Sequence, residues 1–328
     1  MARAPLRITG DTGDGGARSM RRALVIGGAG FVGSWLVQAL LEESIETTVL
    51  DRMSTQPREA VAGVDLIVDD VLRADLTALL DDRQIDAVFH LAGTAAVPPS
   101  LERPIDDLER NAATTLAVLE AARHADRPPL VGFVSSAAVY GEGREMPMTE
   151  DHPLQPVSPY GISKLAAETY VRLYAQLYGL PTFSVRPFSL YGPRQRNGLM
   201  PYLVKRILKR EPITIDADGA QIRDFVHVRD VVTAILKALG APDCTGVLNI
   251  GSGQATSIMS LVRLLEEVLE IAATGQYCPE HTGGERKNTV SVVRAKTALG
   301  WGTSIDLADG TRTLLAPKQA GTGERVYA

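Results

Sequence analysis

The chain has 328 residues, of which 45% are hydrophobic and 22% are charged, a composition typical of a globular protein with a sizeable buried core. Its formal net charge of −5 at pH 7 gives no reason to expect nucleic acid or an anionic membrane as the main partner. No apolar run is long enough to cross a bilayer, and Cys244 and Cys278 lack the spacing of a disulfide framework or a zinc site. We therefore expect a cytoplasmic protein that binds no metal.

The N-terminal segment is rich in Gly, Asp and Arg and lacks the apolar core of a signal peptide. We predict that residues 1–20 form a disordered extension, and Met20, directly before the first strand, is a candidate alternative start. Short apolar runs and helical patterns then alternate along the chain. Strands are predicted at residues 23–28, 47–51, 65–70, 86–93, 129–136 and 181–187. Helices are predicted at residues 31–43, 108–125 and 158–179.

This alternation predicts a doubly wound α/β fold, in which a parallel sheet carries helices on both faces. Shorter elements after residue 187 predict a smaller mixed α/β domain that completes a cleft. We expect a cofactor-binding domain of residues 21–187 with about 225–252, a substrate domain of residues 188–224 and 253–316, and a tail of residues 317–328.

Three glycines, Gly27, Gly30 and Gly33, lie between the first predicted strand and its helix. At such a turn the backbone can approach a pyrophosphate, and the helix N-terminus supplies amide donors. Asp51 ends the second strand, where a carboxylate accepts hydrogen bonds from ribose hydroxyls and repels a 2′-phosphate. The pattern predicts dinucleotide binding and favours NAD, although the neighbouring Arg52 weakens the argument against NADP.

The segment "YGISK" (160–164) carries the candidate chemistry. Tyr160 and Lys164 lie one turn apart on one helix face, and a nearby ammonium favours the phenolate that a base requires. An ordinary surface helix can show the same spacing. Position favours catalysis, because Ser136 ends a parallel strand at the sheet edge that binds ligands, and its hydroxyl can donate to a developing carbonyl.

Further motifs follow in order along the chain: "GGAGFVG" (27–33), "DDV" (69–71), "HLAG" (90–93), "SSAAVYG" (135–141), "RPFSLYGPRQ" (186–195), "RDFVHVRD" (223–230), "NIGSG" (249–253) and "LGW" (299–301). With them the chain resembles an extended short-chain dehydrogenase/reductase of the nucleotide-sugar epimerase/dehydratase group. The resemblance runs from about residue 22 to residue 301. It implies a Rossmann domain with bound NAD, a UDP-sugar substrate, and a homodimer formed by residues 104–123 and 158–178.

The resemblance also implies the site residues. The expected catalytic residues are Ser136, Tyr160 and Lys164. The expected cofactor-binding residues are Gly27, Gly30, Phe31, Val32, Gly33, Asp51, Asp70, Val71, Leu91, Ala92, Gly93, Asn111, Tyr160, Lys164 and Pro187. The expected substrate-binding residues are Val97, Ser136, Ser189, Arg196, Arg223 and Arg286. Among these, Arg223 is expected at the diphosphate, and Arg286 stands near the position of the family's late diphosphate-binding arginine.

The reaction is indicated by two positions within the resemblance. Dehydratases and decarboxylases of the family carry an acidic residue two positions before the tyrosine of the VYG motif, where this chain has Ala138, so 4-epimerisation is expected. UDP-glucuronate 4-epimerases resemble this chain in a small hydroxyl residue at Ser189 and an arginine at Arg196, which suit a sugar carboxylate.

Other interpretations stay open. Arg194 and Arg196 can instead belong to a solvated turn or contact phosphate. The remaining functions are a UDP-glucose/UDP-galactose 4-epimerase, an NAD(P)H-dependent 4-keto-sugar reductase, and a non-enzymatic NAD-sensing relative.

Overall fold

The structure, a computed structural model, describes residues 7–8, 18–52, 63–95, 97–143, 145–216, 219–241, 246–278 and 288–315. Its strands are β1 (Arg7–Ile8), β2 (Arg18–Ser19), β3 (Arg22–Ile26), β4 (Glu46–Asp51), β5 (Asp65–Val68), β6 (Ala87–His90), β7 (Leu130–Val134), β8 (Thr182–Pro187), β9 (Ser189–Tyr191), β10 (Ile213–Asp216), β11 (Ile222–Arg223), β12 (Phe225–His227), β13 (Gly246–Ile250), β14 (Thr256–Ser257) and β15 (Gly275–Cys278).

Its α-helices are α1 (Phe31–Glu42), α2 (Leu76–Asp82), α3 (Val97–Glu102), α4 (Pro104–Leu108), α5 (Thr114–His124), α6 (Pro159–Tyr178), α7 (Leu199–Leu208), α8 (Val228–Leu239), α9 (Ile258–Leu269), α10 (Val293–Leu299) and α11 (Leu307–Thr313). A π-helical turn (Glu109–Ala113) joins α4 to α5, and a 3-10 turn (Ala137–Val139) follows β7.

A seven-stranded sheet forms the centre of the fold, in the order β5-β4-β3-β6-β7-β8-β13. All of its strand pairs are parallel. The strand order reverses between β3 and β6, and α/β folds bind ligands outside the carboxyl ends of the strands at such a point. The predicted doubly wound fold is thus confirmed, with one addition: the edge strand β13 has no counterpart among the predicted strands.

Both faces of the sheet are buried. In β3, Ala23 and Val25 pack into the core beneath α1, α8 and α10, whereas Leu24 and Ile26 pack into the core beneath α2, α5 and α6. Because successive side chains point to opposite faces, a strand covered on both sides is a continuous apolar run. This is the pattern from which the sheet was predicted.

A second core lies among α7, α9, α11 and β10, and includes Leu203, Ile207, Leu261 and Leu265. Short strand pairs belong to this part of the chain: β9 pairs in parallel with β12, and β11 pairs antiparallel with β14. These pairs begin where β8 leaves the central sheet. They therefore place the segments that follow β8 next to the carboxyl edge of that sheet.

Helix α6 confirms its predicted bounds and caps. Ser158 caps its N-terminus by accepting a hydrogen bond from the Gly161 amide at 3.1 Å, Pro159 is its first residue, and Gly179 ends it with a left-handed φ of 65°. The predicted single helix 108–125 is wrong, because a π-helical turn interrupts it. That turn carries Asn111, whose side chain is completely buried and hydrogen-bonded.

The predicted extension and tail lie largely outside the described residues. Within the extension, β1 pairs with β2, and the Met20 side chain is only 3% exposed because it packs into the core. The packed chain therefore begins before residue 21. In the described ranges no helix combines the length and apolar character that a membrane span requires.

Candidate active site

The turn between β3 and α1 depends on its glycines. A Cβ on Gly27, whose φ is 82°, would lie 2.6 Å from the Ala92 amide nitrogen, and a Cβ on Gly33 would lie 2.2 Å from the Gly27 carbonyl oxygen. Gly30 is the N-cap of α1 and provides no side chain to bond the first amides of the helix. Phe31 then begins α1. A tight turn beside a helix N-terminus fits a pyrophosphate, so the geometry suits a dinucleotide.

Asp51 lies at the end of β4 beside this turn, and its Oδ2 accepts a hydrogen bond from the Ala29 amide at 3.0 Å. Arg52 donates to Asp70 at 3.1 Å. The pKa of the Asp70 carboxyl is lowered, first by the hydrogen bond that it accepts from the Leu72 amide and then by Arg52. Asp70 is thus an anion that Arg52 contacts.

The catalytic candidates lie where α6 begins. Ser136 caps the 3-10 turn after β7 by accepting a hydrogen bond from the Ala138 amide at 3.2 Å. Tyr160 is in the first turn of α6, and its amide donates to Ser100 Oγ at 3.2 Å. A Cβ on Gly161 would lie 2.6 Å from the Ala138 carbonyl oxygen. Gly161 therefore lets the turn that carries Tyr160 pack directly on the turn that Ser136 caps.

Lys164 lies one turn further along α6 and is 5% exposed. Its Nζ donates to the Val134 carbonyl oxygen at 3.0 Å and lies 5.0 Å from the centroid of the Phe133 ring. Burial lowers the pKa of Lys164 to about 8, against the opposing effect of Asp107. At neutral pH the ammonium is therefore charged, which favours a phenolate at a neighbouring tyrosine.

Two buried polar atoms at this edge have no hydrogen-bond partner within the described ranges: His90 Nδ1 and Ser135 Oγ. His90 Nε2 contacts Thr115 Oγ1 at 3.1 Å. Burial lowers the pKa of His90 to about 3, with a further contribution from Lys164, so the imidazole is neutral at working pH. Unpartnered buried polar atoms call for a ligand or a water, and these two lie at the carboxyl ends of β6 and β7.

The loop after β6, with Leu91, Ala92 and Gly93, is held by Asn111. The Asn111 Oδ1 accepts the Thr94 amide at 3.2 Å, and its Nδ2 donates to Thr94 Oγ1 at 2.7 Å and to Ser163 Oγ at 2.9 Å. A Cβ on Gly93 would lie 2.3 Å from Asn111 Oδ1. Asn111 thus supports the predicted cofactor loop from behind, and its own contact with the cofactor stays a prediction.

Other predicted cofactor residues lie close to this edge. Val32 follows Phe31 in α1 and is half-buried, whereas Val71 is buried in the turn after β5 and Pro187 is buried at the end of β8. Val71 and Pro187 stand at or just beyond a strand end, and Val32 lies in the first turn of the helix that follows β3.

The predicted substrate residues occupy several elements. Ser189 begins β9, and its amide donates to the Asp224 carbonyl oxygen at 2.8 Å, which places it beside Arg223 at the end of β11. Val97 begins α3, and Arg196 is exposed in the turn after β9. Arg286 lies outside the described residues. The structure therefore brings Ser189 close to Arg223, both partly buried, and leaves Arg196 at the surface of the turn that follows β9.

Arg194 has a different role from Arg196. Its guanidinium donates to the Ser34 carbonyl oxygen at 3.1 Å and to Gln38 Oε1 at 2.9 Å, and it lies 4.3 Å from the centroid of the Trp35 ring. Burial lowers its pKa, and Arg229 lowers it further. All of these contacts are with α1, so Arg194 joins the segment after β9 to the helix of the cofactor turn.

Three residues of the site were missed by the sequence analysis. Asp107 and Ser163 form buried hydrogen bonds near Lys164, and Gly161 sets the contact between α6 and the Ser136 turn. A glycine within a helix, as in "YGISK", is a signal, because it costs stability and usually has a packing reason. Asp107 and Asn111 are four residues apart, a spacing that places both on one helix face.

This fold and site define a dinucleotide-dependent enzyme of the short-chain dehydrogenase/reductase type: a doubly wound sheet whose carboxyl edge carries a glycine turn after β3, Ser136 after β7, and Tyr160 and Lys164 on the adjacent α6. Residues 23–251 match the model of the NAD-dependent epimerase/dehydratase family. The chain belongs to this family.

Relatives and solved structures agree with this assignment. A putative UDP-glucose 4-epimerase of Methanocaldococcus jannaschii is 33% identical over 89% of this chain and 96% of its own length. The structure of UDP-glucose 4-epimerase from Thermotoga maritima, solved with UDP-glucose, is 32% identical with a TM-score of 0.85 over 89% of this chain and 96% of that one. UDP-glucuronic acid 4-epimerase from Bacillus cereus, solved with UDP-glucuronic acid and NAD, is 30% identical with a TM-score of 0.83 over 89% and 97%.

Proposed function

We propose that this protein is an NAD-dependent UDP-sugar 4-epimerase that interconverts UDP-glucuronate and UDP-galacturonate. The observation that carries the proposal is the arrangement at the start of α6, where Gly161 packs the turn of Tyr160 onto the Ser136 turn and Lys164 lies buried one helical turn away. The relatives named above act on UDP sugars, which supports this substrate class.

Three residues have separate roles in the proton transfer. Tyr160, as phenolate, removes the proton of the sugar 4-hydroxyl, and the Lys164 ammonium stabilises that phenolate. Ser136 donates a hydrogen bond to the C4 oxygen as it becomes a carbonyl. The glycine turn after β3 and Asp51 would hold NAD, which would supply a reversible hydride acceptor for C4. Tyr160 gives its proton back to the C4 oxygen when the 4-keto sugar is reduced from the opposite face, which inverts the centre.

Ala138 favours return of the hydride to the 4-keto intermediate over elimination or a reaction at C5. Its amide donates to Ser136 Oγ at 3.2 Å, so it lies beside the reacting group, and its side chain is a methyl. A methyl can neither remove nor deliver a proton at C5. Elimination and C5 protonation therefore lack a catalyst at this position, which favours epimerisation.

The uronate substrate is supported by Ser189 and Arg196. Ser189 is half-buried at the start of β9, close to Arg223, and Arg196 is exposed in the turn that follows the same strand. Because the guanidinium of Arg194 is hydrogen-bonded to Ser34 and Gln38 of α1 and lies against Trp35, Arg196 is the better candidate of the two for a ligand. A guanidinium and a hydroxyl hold a carboxylate through charge-assisted hydrogen bonds. Such a grip also restrains a 4-keto uronate, which is a β-keto acid, from losing CO₂.

UDP-glucose is the second candidate substrate, because several of the relatives are UDP-glucose 4-epimerases. The experiment that tests the proposal incubates the purified protein, without added cofactor, with UDP-glucuronate and with UDP-glucose and follows both by NMR. We expect epimerisation of the uronate and NAD released on denaturation. Cofactor-free protein that turns over only with added NADPH would instead identify a reductase.

Arg196→Ala separates the two substrates. Loss of one partner of a charge-assisted contact costs about 1.5–3 kcal/mol, or roughly 10- to 150-fold in kcat/KM, and we expect this loss only on UDP-glucuronate. Ser189→Asn should shift the preference toward UDP-glucose. Equal losses on both sugars would assign Arg196 to a phosphate or to the scaffold, and a wild type that prefers UDP-glucose would contradict the uronate assignment.

We also propose a homodimer formed by residues 104–123 and 158–178 together with α3, which packs on α4 and α6. The sugar would bind between the central sheet and the described parts of residues 188–224 and 253–316. The outer face of these helices exposes large apolar side chains, among them Leu101, Ile105 and Leu177, with Ile105 75% exposed. Large exposed apolar side chains on neighbouring helices are typical of a protein interface. Ile105→Glu should give a monomer by light scattering, whereas Val293→Glu, at a position on α10 that is 67% exposed, should leave the oligomer intact. A monomeric wild type would contradict this proposal.

A further inference from the structure

A carboxylate that takes no part in the proton transfer, Asp107, lies buried beside α6 with only 1% of its surface exposed. Its Oδ1 accepts hydrogen bonds from Thr94 Oγ1 and from Asn111 Nδ2, the second at 3.2 Å. Its Oδ2 accepts a hydrogen bond from Ser163 Oγ at 2.5 Å. Both carboxyl oxygens are therefore engaged in hydrogen bonds.

The three donors come from three elements at the cofactor end of the site. Thr94 follows the loop after β6, Asn111 lies in the π-helical turn, and Ser163 directly precedes Lys164 on α6. All three donors are uncharged, so none of the hydrogen bonds described above for Asp107 belongs to an ion pair. Burying a carboxylate without a cation is costly, and this burial needs a physical reason.

Lys164 provides that reason. Burial lowers the pKa of Lys164 to about 8, and the charge of Asp107 opposes this fall. The other elements packed on Lys164 leave Asp107 as the anion it responds to. His90 on β6 is neutral, because burial lowers its pKa to about 3. Glu168, one turn further along α6, is paired with Arg186 of β8 at 2.9 Å. Strand β7 offers a backbone carbonyl and an aromatic ring.

We propose that Asp107 is a positioning residue that keeps Lys164 in its charged form beneath the catalytic tyrosine. It acts through its negative charge, and the hydrogen bond from Ser163, the residue before Lys164, is one of three that hold the side chain in place. Without this negative charge, the positive nicotinamide ring and the burial of Lys164 both oppose the ammonium. The consequence for turnover rests on the proposed function, whereas the consequence for Lys164 itself does not.

The charge of Lys164 is measured directly, without substrate, on the purified holoenzyme labelled with [ε-13C]lysine. The Lys164 resonance is the one absent from Lys164→Met, and its titration midpoint is followed by NMR. Asp107→Asn removes the charge but keeps the size of the side chain, and its amide can donate to the hydroxyls that now donate to Asp107. We expect the midpoint to fall by about one pH unit, because a nearby opposite charge shifts a pKa by about 1–3 units.

Ser163→Ala is the matched control, since it removes one hydrogen bond of Asp107 and leaves the carboxylate in place. Its Lys164 midpoint should equal that of the wild type. The double variant Asp107→Asn/Thr94→Asp returns a carboxylate to the same cluster and should bring the midpoint back up. An unchanged midpoint in Asp107→Asn, or an equal shift in Ser163→Ala, would overturn the proposal. So would a wild-type Lys164 that is neutral at pH 7, a measurement that needs no Asp107 variant.

The pH profile of kcat connects this result to catalysis. If a charged Lys164 supports the phenolate, the alkaline limb of the profile should move to lower pH in Asp107→Asn by the same amount as the NMR midpoint, with KM unchanged. An NMR shift in a protein that epimerises no UDP sugar would contradict the proposed function and leave the role of Asp107 toward Lys164 intact. If Asp107→Asn still epimerises UDP sugars and neither its kcat profile nor its Lys164 midpoint moves, the role of Asp107 is contradicted and the proposed function stands.

Discussion

Replacing Gly161 by alanine tests whether the contact between α6 and the Ser136 turn sets the geometry of catalysis. A Cβ at this position would lie 2.6 Å from the Ala138 carbonyl oxygen and 2.9 Å from the Pro156 Cβ. A carbonyl and a proline ring cannot swing aside as the end of a flexible side chain can. The first turn of α6 must therefore move away from the Ser136 turn, and Tyr160 moves with it.

Two effects on stability oppose each other in Gly161→Ala. Overpacking costs about 1–3 kcal/mol, whereas alanine in place of a helical glycine stabilises by about 1 kcal/mol. The free energy of unfolding should therefore fall by only about 0–2 kcal/mol. Catalysis is more sensitive, because misplacing a reacting group by about 1 Å costs about 10²-fold. We expect kcat to fall by that factor in a protein that stays folded.

Gly179→Ala provides the control at the other end of the same helix. Gly179 has a φ of 65°, and an added Cβ would meet no atom within 4 Å, so the cost is conformational, about 1–2 kcal/mol for a left-handed alanine. This variant should lose stability in urea unfolding while keeping its kcat. If Gly161→Ala instead keeps a wild-type kcat, or if both variants lose activity in proportion to stability, the contact does not set the catalytic geometry.

Three further predictions concern titratable residues of the site. Tyr160→Phe should lower kcat by about 10²-fold or more in initial-rate assays, because a positioned base contributes about 10²–10⁴, and Ser136→Ala should lose less; near-normal turnover in Tyr160→Phe would remove the mechanism. Lys164→Met should be inactive yet more stable at pH 7, because the fall in the pKa of Lys164 from 10.5 to about 8 corresponds to about 3 kcal/mol of buried charge. The unfolded state binds more protons between these values, so wild-type stability rises there and the advantage should vanish by pH 10 in urea titrations. Burial likewise lowers the pKa of His90 to about 3 and that of His227 to about 4, so stability should fall from pH 6.5 toward pH 4, and less steeply in His90→Phe.

The sheet and the cofactor turn could be predicted because their signals are local. Strands covered on both faces are apolar throughout. Glycines placed between such a strand and a helix, with a carboxylate at the end of the next strand, together indicate a dinucleotide turn. The ends of α6 could be predicted equally well, since Ser158, Pro159 and Gly179 each satisfy a known requirement of a helix terminus. For all of these features, residues adjacent in sequence carry the physical cause.

The rest depends on contacts between residues far apart in the sequence. The π-helical turn around Asn111 was predicted as regular helix, because apolar periodicity does not record the extra residue in one turn. Asp107 reads as one more surface carboxylate of a charged helix, and only the packing of α6 onto it shows that it is buried. The Gly161 contact likewise needs the position of the Ala138 carbonyl, which the sequence does not contain.

The segment "RPFSLYGPRQR" illustrates how two arginines of one motif acquire separate roles. Arg194 and Arg229 both lie against Trp35, at 4.3 and 5.0 Å from its ring centroid, and the Trp35 indole donates to the Pro193 carbonyl oxygen at 2.9 Å. Trp35 belongs to α1, whose N-terminus forms the turn that fits a pyrophosphate. The segment after β9 is therefore positioned by the same helix that faces the cofactor. A change at Arg194 would disturb both ends of the site, whereas Arg196, two residues further on, can vary with the substrate without loosening this anchor.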